Sequence, residues 1–538
     1  MADRSGRVVV IGGGIGGLTA AALLASRGLD VVLLERGARV GGKMREVTLG
    51  GRPIDVGPTV LTMRWVFDEL FASLGLCFED QVPLRPAETL ARHAWPDGSR
   101  LDLFADEGRT ADAIGALAGP READGYRRFC RYARDIFDTV ERPFLRAERP
   151  TLRTILSAAG SLGVSGLMKI DGHRTLHRAL GDFFADARLR QLFGRYATYC
   201  GSSPYLAPAT LSVIAHVERE GVWLPQGGMY RVAEALAAAA TRAGATLRCG
   251  ARVAAIEEGR GRATGVVLEG GERLAADAIV MNADPAALRS GLFGQRAARK
   301  APGDAPRSLS AMTFALVAEV SGFPLVRHNV FFSSDYEAEF RDLFERGAVP
   351  RDATIYACAE DRWDEPSPEP GAAGPGPSPE PGAAGPGPGA GASGARAGER
   401  LFFIVNAPAT GDIHTPSSTE IHECEQRVFH QLQRFGLSLR SAGPSLVVTT
   451  PADFERMFPA TGGALYGPAS HGWTSPFSRP GSRSKLPGLY FAGGSVHPGA
   501  GVPMAALSGR LAAESVMEDL ASTSRSRAAA TPGGTWTR

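Results

Sequence analysis

Four consecutive apolar residues, Val8 to Ile11, stop at a run of glycines. A short β-branched run bounded in this way predicts a buried strand over 8–11. Ala- and Leu-rich sequence over 15–27 predicts a helix, with Gly28 as its C-cap. The next apolar run, 31–34, ends at Glu35 and predicts a second strand. Strand, helix and strand this close together form the βαβ unit of a parallel sheet. From 61 to 200 the pattern is mostly helical, with few strand runs. Alternation of α and β character returns over 222–290: a helix near 229–243, strands near 246–256 and 263–268, and an apolar run at 278–281. Further strand patterns fall at 310–320, 330–333 and 401–405. Between the last two, 366–376 reads PSPEPGAAGPG and 377–387 repeats the same letters. Proline and glycine at this density cannot bury a core, so 366–391 is expected to be a disordered insertion. The Ser-, Arg- and Thr-rich tail, 522–538, is expected to fray.

Composition narrows the class. The chain has 538 residues, a net charge of +2, 44% hydrophobic and 22% charged residues. These values exclude a wholly disordered, collagen-like or multi-span membrane chain. A near-zero net charge argues against nucleic-acid binding, which needs a dense basic face. The six cysteines contain no CxxC, which excludes the common local zinc and thioredoxin-type motifs and fits reduced thiols in a cytosolic protein. Arg4 and Arg7 before an apolar stretch mimic a signal peptide, but five glycines between 12 and 17 interrupt it, so secretion is not expected. No unbroken apolar run is long enough to predict a transmembrane helix. The histidines show no HxH or HExxH spacing, so no metal site is expected.

Gly12, Gly14 and Gly17 satisfy GxGxxG where the first strand opens into the first helix, and Glu35 ends the following strand. Gly12 makes the turn, Gly14 lets backbone approach a pyrophosphate, and Gly17 lets helix and strand pack closely. The helix start offers free N–H groups and positive potential to phosphates. Glu35 can accept hydrogen bonds from an adenosine ribose and would repel a 2′-phosphate, which disfavours NADP.

A second glycine block, Gly41-Gly42-Lys43, follows closely, and Asp55-Val56-Gly57-Pro58-Thr59 adds another tight turn. Near the other end, a short apolar strand runs into Gly493-Gly494-Ser495-Val496-His497-Pro498-Gly499-Ala500-Gly501 and then a helix with Pro503 in its first turn. Together these blocks resemble the FAD-containing oxidoreductases of the amine-oxidase and carotenoid-desaturase superfamily. The His-Pro-Gly-x-Gly block resembles the carboxy-terminal signature of bacterial-type phytoene desaturases, apart from Val496. Tyr199 to Tyr205 and Gly221 to Met229 look like internal blocks of that family. Segments 57–65, 193–208 and 215–223 most resemble its 1-hydroxycarotenoid 3,4-desaturases.

The resemblance implies an α/β fold: a Rossmann-like FAD-binding domain of glutathione-reductase-like architecture with an inserted α+β substrate domain. The FAD domain would be discontinuous, from 1–60, 222–300 and 461–521. Segments 61–221 and 301–460 would form the substrate domain. Beyond Gly12, Gly14, Gly17 and Glu35, the implied FAD contacts are Gly42, Lys43, Gly57, Thr59, Val60, Val253 and Asn282. Gly493, Gly494, Gly501, Val502, Pro503 and Met504 complete them at the carboxy-terminal turn.

The implied reaction is C-3,4 desaturation of a 1-hydroxylated acyclic C40 carotenoid, with oxygen or a quinone as electron acceptor. His497 is the weak catalytic candidate, either a general base or a residue that holds a backbone carbonyl. Tyr199, Ser202 and Tyr205 are candidates to read the substrate hydroxyl. Because the substrate resides in lipid, a cytoplasmic protein docked on the inner membrane surface is expected. The stretch 142–200, with ten Arg and Lys against four acidic residues, is the candidate contact, through Ile155, Leu156, Leu162, Val164, Leu167 and Met168. An ordinary solvated basic face is the alternative for that stretch. Other readings stay open: phytoene desaturase, carotenoid isomerase or amine oxidase, an isoprenoid-binding carrier without FAD, and a soluble NAD dehydrogenase.

Overall fold

A computed structural model describes residues 6–145, 170–363, 398–472 and 475–529. Its first sheet has five parallel strands. In chain order they are β1 (Arg7–Ile11), β2 (Asp30–Glu35), β3 (Thr246–Cys249), β4 (Ala278–Met281) and β5 (Leu489–Phe491). The spatial order is β5-β4-β1-β2-β3. Val8 pairs with Val31 on one side and Ala278 on the other. Strands from both chain ends and the middle thus share one sheet, and their switch point lies at the glycine turn after β1.

Both faces of β1 are covered, which is why it reads as an unbroken apolar run rather than an alternating one. Val8, Val10, Val31, Leu33, Ala278 and Val280 pack under three helices, α1 (Ile15–Ser26), α2 (Tyr230–Arg242) and α3 (Val502–Ala529). Val9, Ile11, Leu34, Ile279, Met281 and Phe491 pack on the opposite face, against Ile256, Ala263, Val266 and Leu268. Those four come from a three-stranded antiparallel sheet, Val253–Gly259, Arg262–Leu268 and Arg273–Ala275.

A second large sheet has seven strands in the order Leu437–Thr449, Ser310–Gly322, Glu399–Ala407, Ile355–Ala359, His328–Phe331, Thr89–Ala94 and Arg100–Phe104. Its pairings are antiparallel except that of His328–Phe331 with Thr89–Ala94. Phe314, Phe331, Ile355, Phe403 and Val405 face a core closed by the helix Ser418–Arg434, whose Cys424, Val428 and Leu432 point inward.

The structure corrects two expectations about elements and locates a third. The few strand runs of the mostly helical region after residue 60 are Leu84–Pro86 and the hairpin Thr89–Ala94/Arg100–Phe104. The hairpin's Pro96-Asp97-Gly98 turn, with Gly98 at φ +84°, was its sequence signal. The single strand expected over 246–256 is two, β3 and Val253–Gly259, which belong to different sheets because the chain turns at Gly250, φ +70°. The last helix runs past Ser522 to Ala529, beyond the expected start of the frayed tail. The insertion 366–391 and the apolar residues of the basic stretch, Ile155 to Met168, lie outside the described residues. Among the described residues, no helix is long and apolar enough to cross a membrane.

Candidate functional site

The carboxyl ends of β1 and β2 and the first turns of α1 and α3 open on one cavity of about 810 Å³. Helix α1 begins after Gly14 with no side-chain cap and no acidic residue in its first turn. Its first N–H groups have no intrahelical acceptors, so the cavity wall formed by Gly14, Ile15 and Gly16 presents donors and positive potential. Helix α3 brings Val502, Pro503 and Met504 to the same cavity, behind Gly501. The two helices cross tightly: a Cβ on Gly509 would collide with the carbonyl oxygen of Gly16.

Close approach explains the other glycines too. A Cβ on Gly17 would strike the carbonyl oxygen of Gly12, so Gly17 serves helix–strand packing and stands off the cavity wall. A Cβ on Gly14 would lie 2.8 Å from Asn282 Nδ2, and one on Gly42 would lie 3.2 Å from the Cα of Gly14. A Cβ on Gly493 would lie 2.8 Å from Asn282 Oδ1. Asn282 is thus wedged between the two glycine turns, and its Nδ2 donates to the Gly12 carbonyl at 3.3 Å. Its Oδ1 has no hydrogen-bond partner among the described residues.

Glu35 is fixed at the end of β2. Its Oε2 accepts from Gly13 N (2.7 Å) and its Oε1 from Gly37 N (2.6 Å), leaving lone pairs for a further donor. Lys43 lines the cavity and donates through Nζ to the Leu465 carbonyl at 2.5 Å. Burial pulls its ammonium down to about 8, opposed by the nearby Asp284 carboxylate. Gly12, Gly57, Thr59, Val60, Val253 and Gly494 also line the cavity.

An extended dinucleotide fits this cradle. It needs uncapped N–H groups at a helix start, a carboxylate at the next strand end, and a Cβ-free passage between, and Gly14, Glu35 and Gly42 supply them.

The same cavity is also lined by apolar Met63, Phe137, Leu145, Leu211, Ile214 and Val217, and by a polar group formed by Arg195, Tyr199, Glu218, His328 and Tyr356. Sequence reading had singled out only Tyr199 of these. They come from three separate regions, so no spacing links them. The available signal was isolated polarity in apolar strands: His328 opens the buried strand His328–Phe331, and Tyr356 interrupts Ile355–Ala359.

Three candidates lie elsewhere. Ser202 is fully buried off the cavity, where its Oγ donates to the Cys200 carbonyl (3.2 Å) and accepts from Ser470 N (2.8 Å). Tyr205 packs between His177 and Phe340, with ring centroids 4.6 and 6.0 Å away. Neither can read a ligand in the cavity. His497 is buried behind the carboxy-terminal turn, and its Nε2 donates to the Phe144 carbonyl at 2.8 Å. It holds a backbone carbonyl and is not part of the cavity wall.

The family model described as flavin-containing amine oxidoreductase matches residues 15–321 and 394–517. The chain belongs to this family. Its cofactor is FAD, and the match takes in Glu35, Gly42 and the carboxy-terminal turn Gly493 to Met504. A hydroxyneurosporene desaturase of Rubrivivax gelatinosus is 50% identical, over 99% of this chain and 98% of its own. One of Cereibacter sphaeroides is 44% identical, over 96% and 99%. Among solved structures, putrescine oxidase bound to putrescine superposes with a TM-score of 0.57 over 95% of this chain and 99% of that one. At 14% identity, that likeness speaks to the fold alone. The chain is an FAD oxidoreductase acting on CH–CH bonds, with carotenoid desaturases as its relatives.

Proposed function

We infer that this flavoprotein introduces the C-3,4 double bond into a 1-hydroxylated acyclic carotenoid. The observation that carries the reading is one cavity lined both by the cradle residues and by an aromatic and aliphatic compartment. Such a compartment suits a hydrocarbon chain. The near-full-length identity to hydroxyneurosporene desaturases supports the same substrate class.

The reaction removes one hydride and one proton across two adjacent carbons. Bound FAD supplies the hydride acceptor, with oxygen or a quinone as the oxidant that takes the two electrons onward. The protein's part is placement. Gly12, Gly14 and the α1 start would hold the pyrophosphate, and Glu35 the ribose. Gly42, Lys43, Gly57, Thr59 and Val60 would line the passage toward the reacting end, with Val253 and Asn282 beside it. Gly493, Gly494 and the Gly501–Met504 turn would close the opposite side, with the positive end of α3 favouring negative charge there. The apolar walls exclude water from the reacting carbons and hold the chain in a near-attack position.

The decisive assay supplies phytoene, neurosporene and 1-hydroxyneurosporene in parallel to the FAD-loaded protein. Turnover of the hydroxylated carotenoid to a product with one more conjugated double bond is expected. Efficient conversion of phytoene with no turnover of the hydroxylated chain would overturn the reading. Peripheral docking on the inner membrane surface belongs to the same proposal. Sedimentation with anionic liposomes at low salt, weakening as salt rises, is expected, and no sedimentation at any ionic strength counts against it.

A further inference from the structure

One polar thread in the cavity is not needed to hold the dinucleotide. Glu218 accepts hydrogen bonds from Tyr196 (2.5 Å) and Tyr199 (2.9 Å). The Tyr199 hydroxyl in turn accepts from Arg195 Nη1 at 3.3 Å. The Arg195 guanidinium lies 5.3 Å from the Tyr199 ring centroid and 5.5 Å from that of Tyr356. The Tyr356 hydroxyl is bonded twice, to Thr59 Oγ1 (2.6 Å) and to His328 Nδ1 (2.8 Å). The thread ends at His328 Nε2, which has no hydrogen-bond partner among the described residues. His328 is 2% exposed and lines the cavity. A buried imidazole nitrogen left unpaired is costly unless something in the cavity completes it.

Position says what that something is. In a 1-hydroxy carotenoid oxidised at C-3 and C-4, the oxygen stands two carbons from C-3. With bonds of ~1.5 Å it lies within roughly 4 Å of that carbon. The group that reads the hydroxyl must therefore stand beside the reacting bond and not at the far end of the chain. His328 is tied through Tyr356 to Thr59, on the stretch of cavity wall that the proposed function assigns to the passage toward the reacting end. The Thr59 segment packs against the second glycine turn, since a Cβ on Gly57 would collide with the Lys43 carbonyl oxygen. Of the hydroxyl, carboxylate and imidazole groups in the thread, those of Glu218, Tyr199 and Tyr356 are already engaged, and His328 Nε2 alone is not.

We propose that His328, oriented by Tyr356 and Thr59, hydrogen-bonds the chain-end hydroxyl of the substrate and sets the enzyme's preference for hydroxylated over unhydroxylated carotenoids. The assignment rests on the desaturase reading above and names the group that gives it specificity. Burial, with the Arg327 and Arg195 charges nearby, holds the His328 imidazole down to about 3, so it is neutral at working pH. A neutral imidazole nitrogen either donates or accepts, and a hydroxyl does both, so the bond forms with either tautomer.

The test compares kcat/KM for 1-hydroxyneurosporene and neurosporene in the FAD-loaded wild type, His328→Leu, His328→Gln and Tyr356→Phe. A site built to bond a hydroxyl rejects the analogue lacking it strongly, so His328→Leu is expected to reduce the preference ratio at least about 100-fold. The loss should be steeper for the hydroxylated substrate than for the unhydroxylated chain, so that the ratio and not merely the overall rate falls. His328→Gln, which keeps a donor and an acceptor, should restore part of the ratio. An unchanged ratio in a flavin-loaded His328→Leu protein overturns the assignment. Should that variant lose its flavin, Tyr356→Phe decides: it removes only the hydroxyl that orients the imidazole. A ratio lowered at least about tenfold supports the assignment, and an unchanged one overturns it. A wild type that turns over no hydroxylated carotenoid defeats the desaturase reading itself, a separate outcome from a wild-type preference that survives at position 328.

Discussion

Gly14 and Gly28 are both glycines at the ends of α1, yet the structure gives them opposite reasons, and mutation can separate these. Gly14 has φ −73° and ψ 174°, a conformation open to any residue. Its constraint is space: a Cβ would sit 2.8 Å from Asn282 Nδ2, facing the passage shared with Gly42. Gly28 is the reverse, with φ +82° and nothing within 4 Å of its would-be Cβ. Gly14→Val should therefore block the phosphates from the N–H groups of the first turn. Losing two charge-assisted hydrogen bonds at about 1.5–3 kcal/mol each removes roughly 3–6 kcal/mol of FAD affinity. That is on the order of a 10²–10⁴-fold rise in Kd. Gly28→Ala should cost about 1–2 kcal/mol of stability through left-handed strain and leave FAD affinity unchanged. Flavin absorbance per chain after gel filtration, FAD titration of the apoprotein, and circular dichroism to check the fold distinguish the two. Full flavin occupancy in a folded Gly14→Val protein would refute the cradle, and flavin loss in Gly28→Ala would refute the steric reasoning.

Two further outcomes follow from other regions. Glu360 is buried beside Asp55, whose backbone N–H it accepts at 2.7 Å, and burial followed by the Asp55 charge pushes its carboxyl up to about 8. The folded state therefore holds this proton from the ordinary 4.5 up to about 8 while the unfolded chain has released it. Stability from this group is greatest at the acidic end of that window and is lost as pH rises through 8. Glu360→Gln should flatten the fall of Tm across the window, and an identical pH profile in wild type and variant would exclude Glu360 as its source. Deleting 366–391 should leave turnover within about twofold, because loop closure depends only weakly on length. The strands that flank it are already hydrogen-bonded neighbours, with Ala359 opposite Leu401. An inactive or unfolded deletion variant would show that the segment binds or packs.

The glycine turn after β1 was legible in the sequence because its physics is local. Gly12 to Gly17 and Glu35 sit within one βαβ unit, where Gly17 packs on the Gly12 carbonyl. Glu35 is held by the neighbouring Gly13 and Gly37 amides. The carboxy-terminal turn was readable for the same reason, as a strand, a glycine pair and a helix start in sequence. What could not be read was the wall facing them. Thr59, Tyr356 and His328 touch only because the sheet built by residues 89–104, 310–359 and 399–449 closes over the glycine turns. Strand pairings between residues far apart in the chain leave no spacing for a motif. Ser202 and Tyr205 were candidates because they share with Tyr199 the block that resembles the desaturases, but the 3-10 turn Arg195–Cys200 ends at Gly201 and sends them away from the cavity.

This division bears on how an oxidase of hydrocarbons can be selective. Apolar burial is non-directional, and a pocket that discriminates only by methylene content gains about 1–3 kcal/mol per group. A long polyene in the wall of Met63, Phe137, Leu145, Leu211 and Ile214 could slide by an isoprenoid unit and bury similar area. Register along such a chain has to come from a directional contact near the bond that reacts. A polar group at a distant end would transmit every flexure of the intervening carbons to the reacting pair. A short rigid one, set on two paired strands and braced by Thr59 and Tyr356, fixes the reacting carbons directly. Polar side chains are costly in an apolar cavity, so their concentration in one thread, ending at an uncompleted imidazole on the cavity wall, is where the proposal places that register.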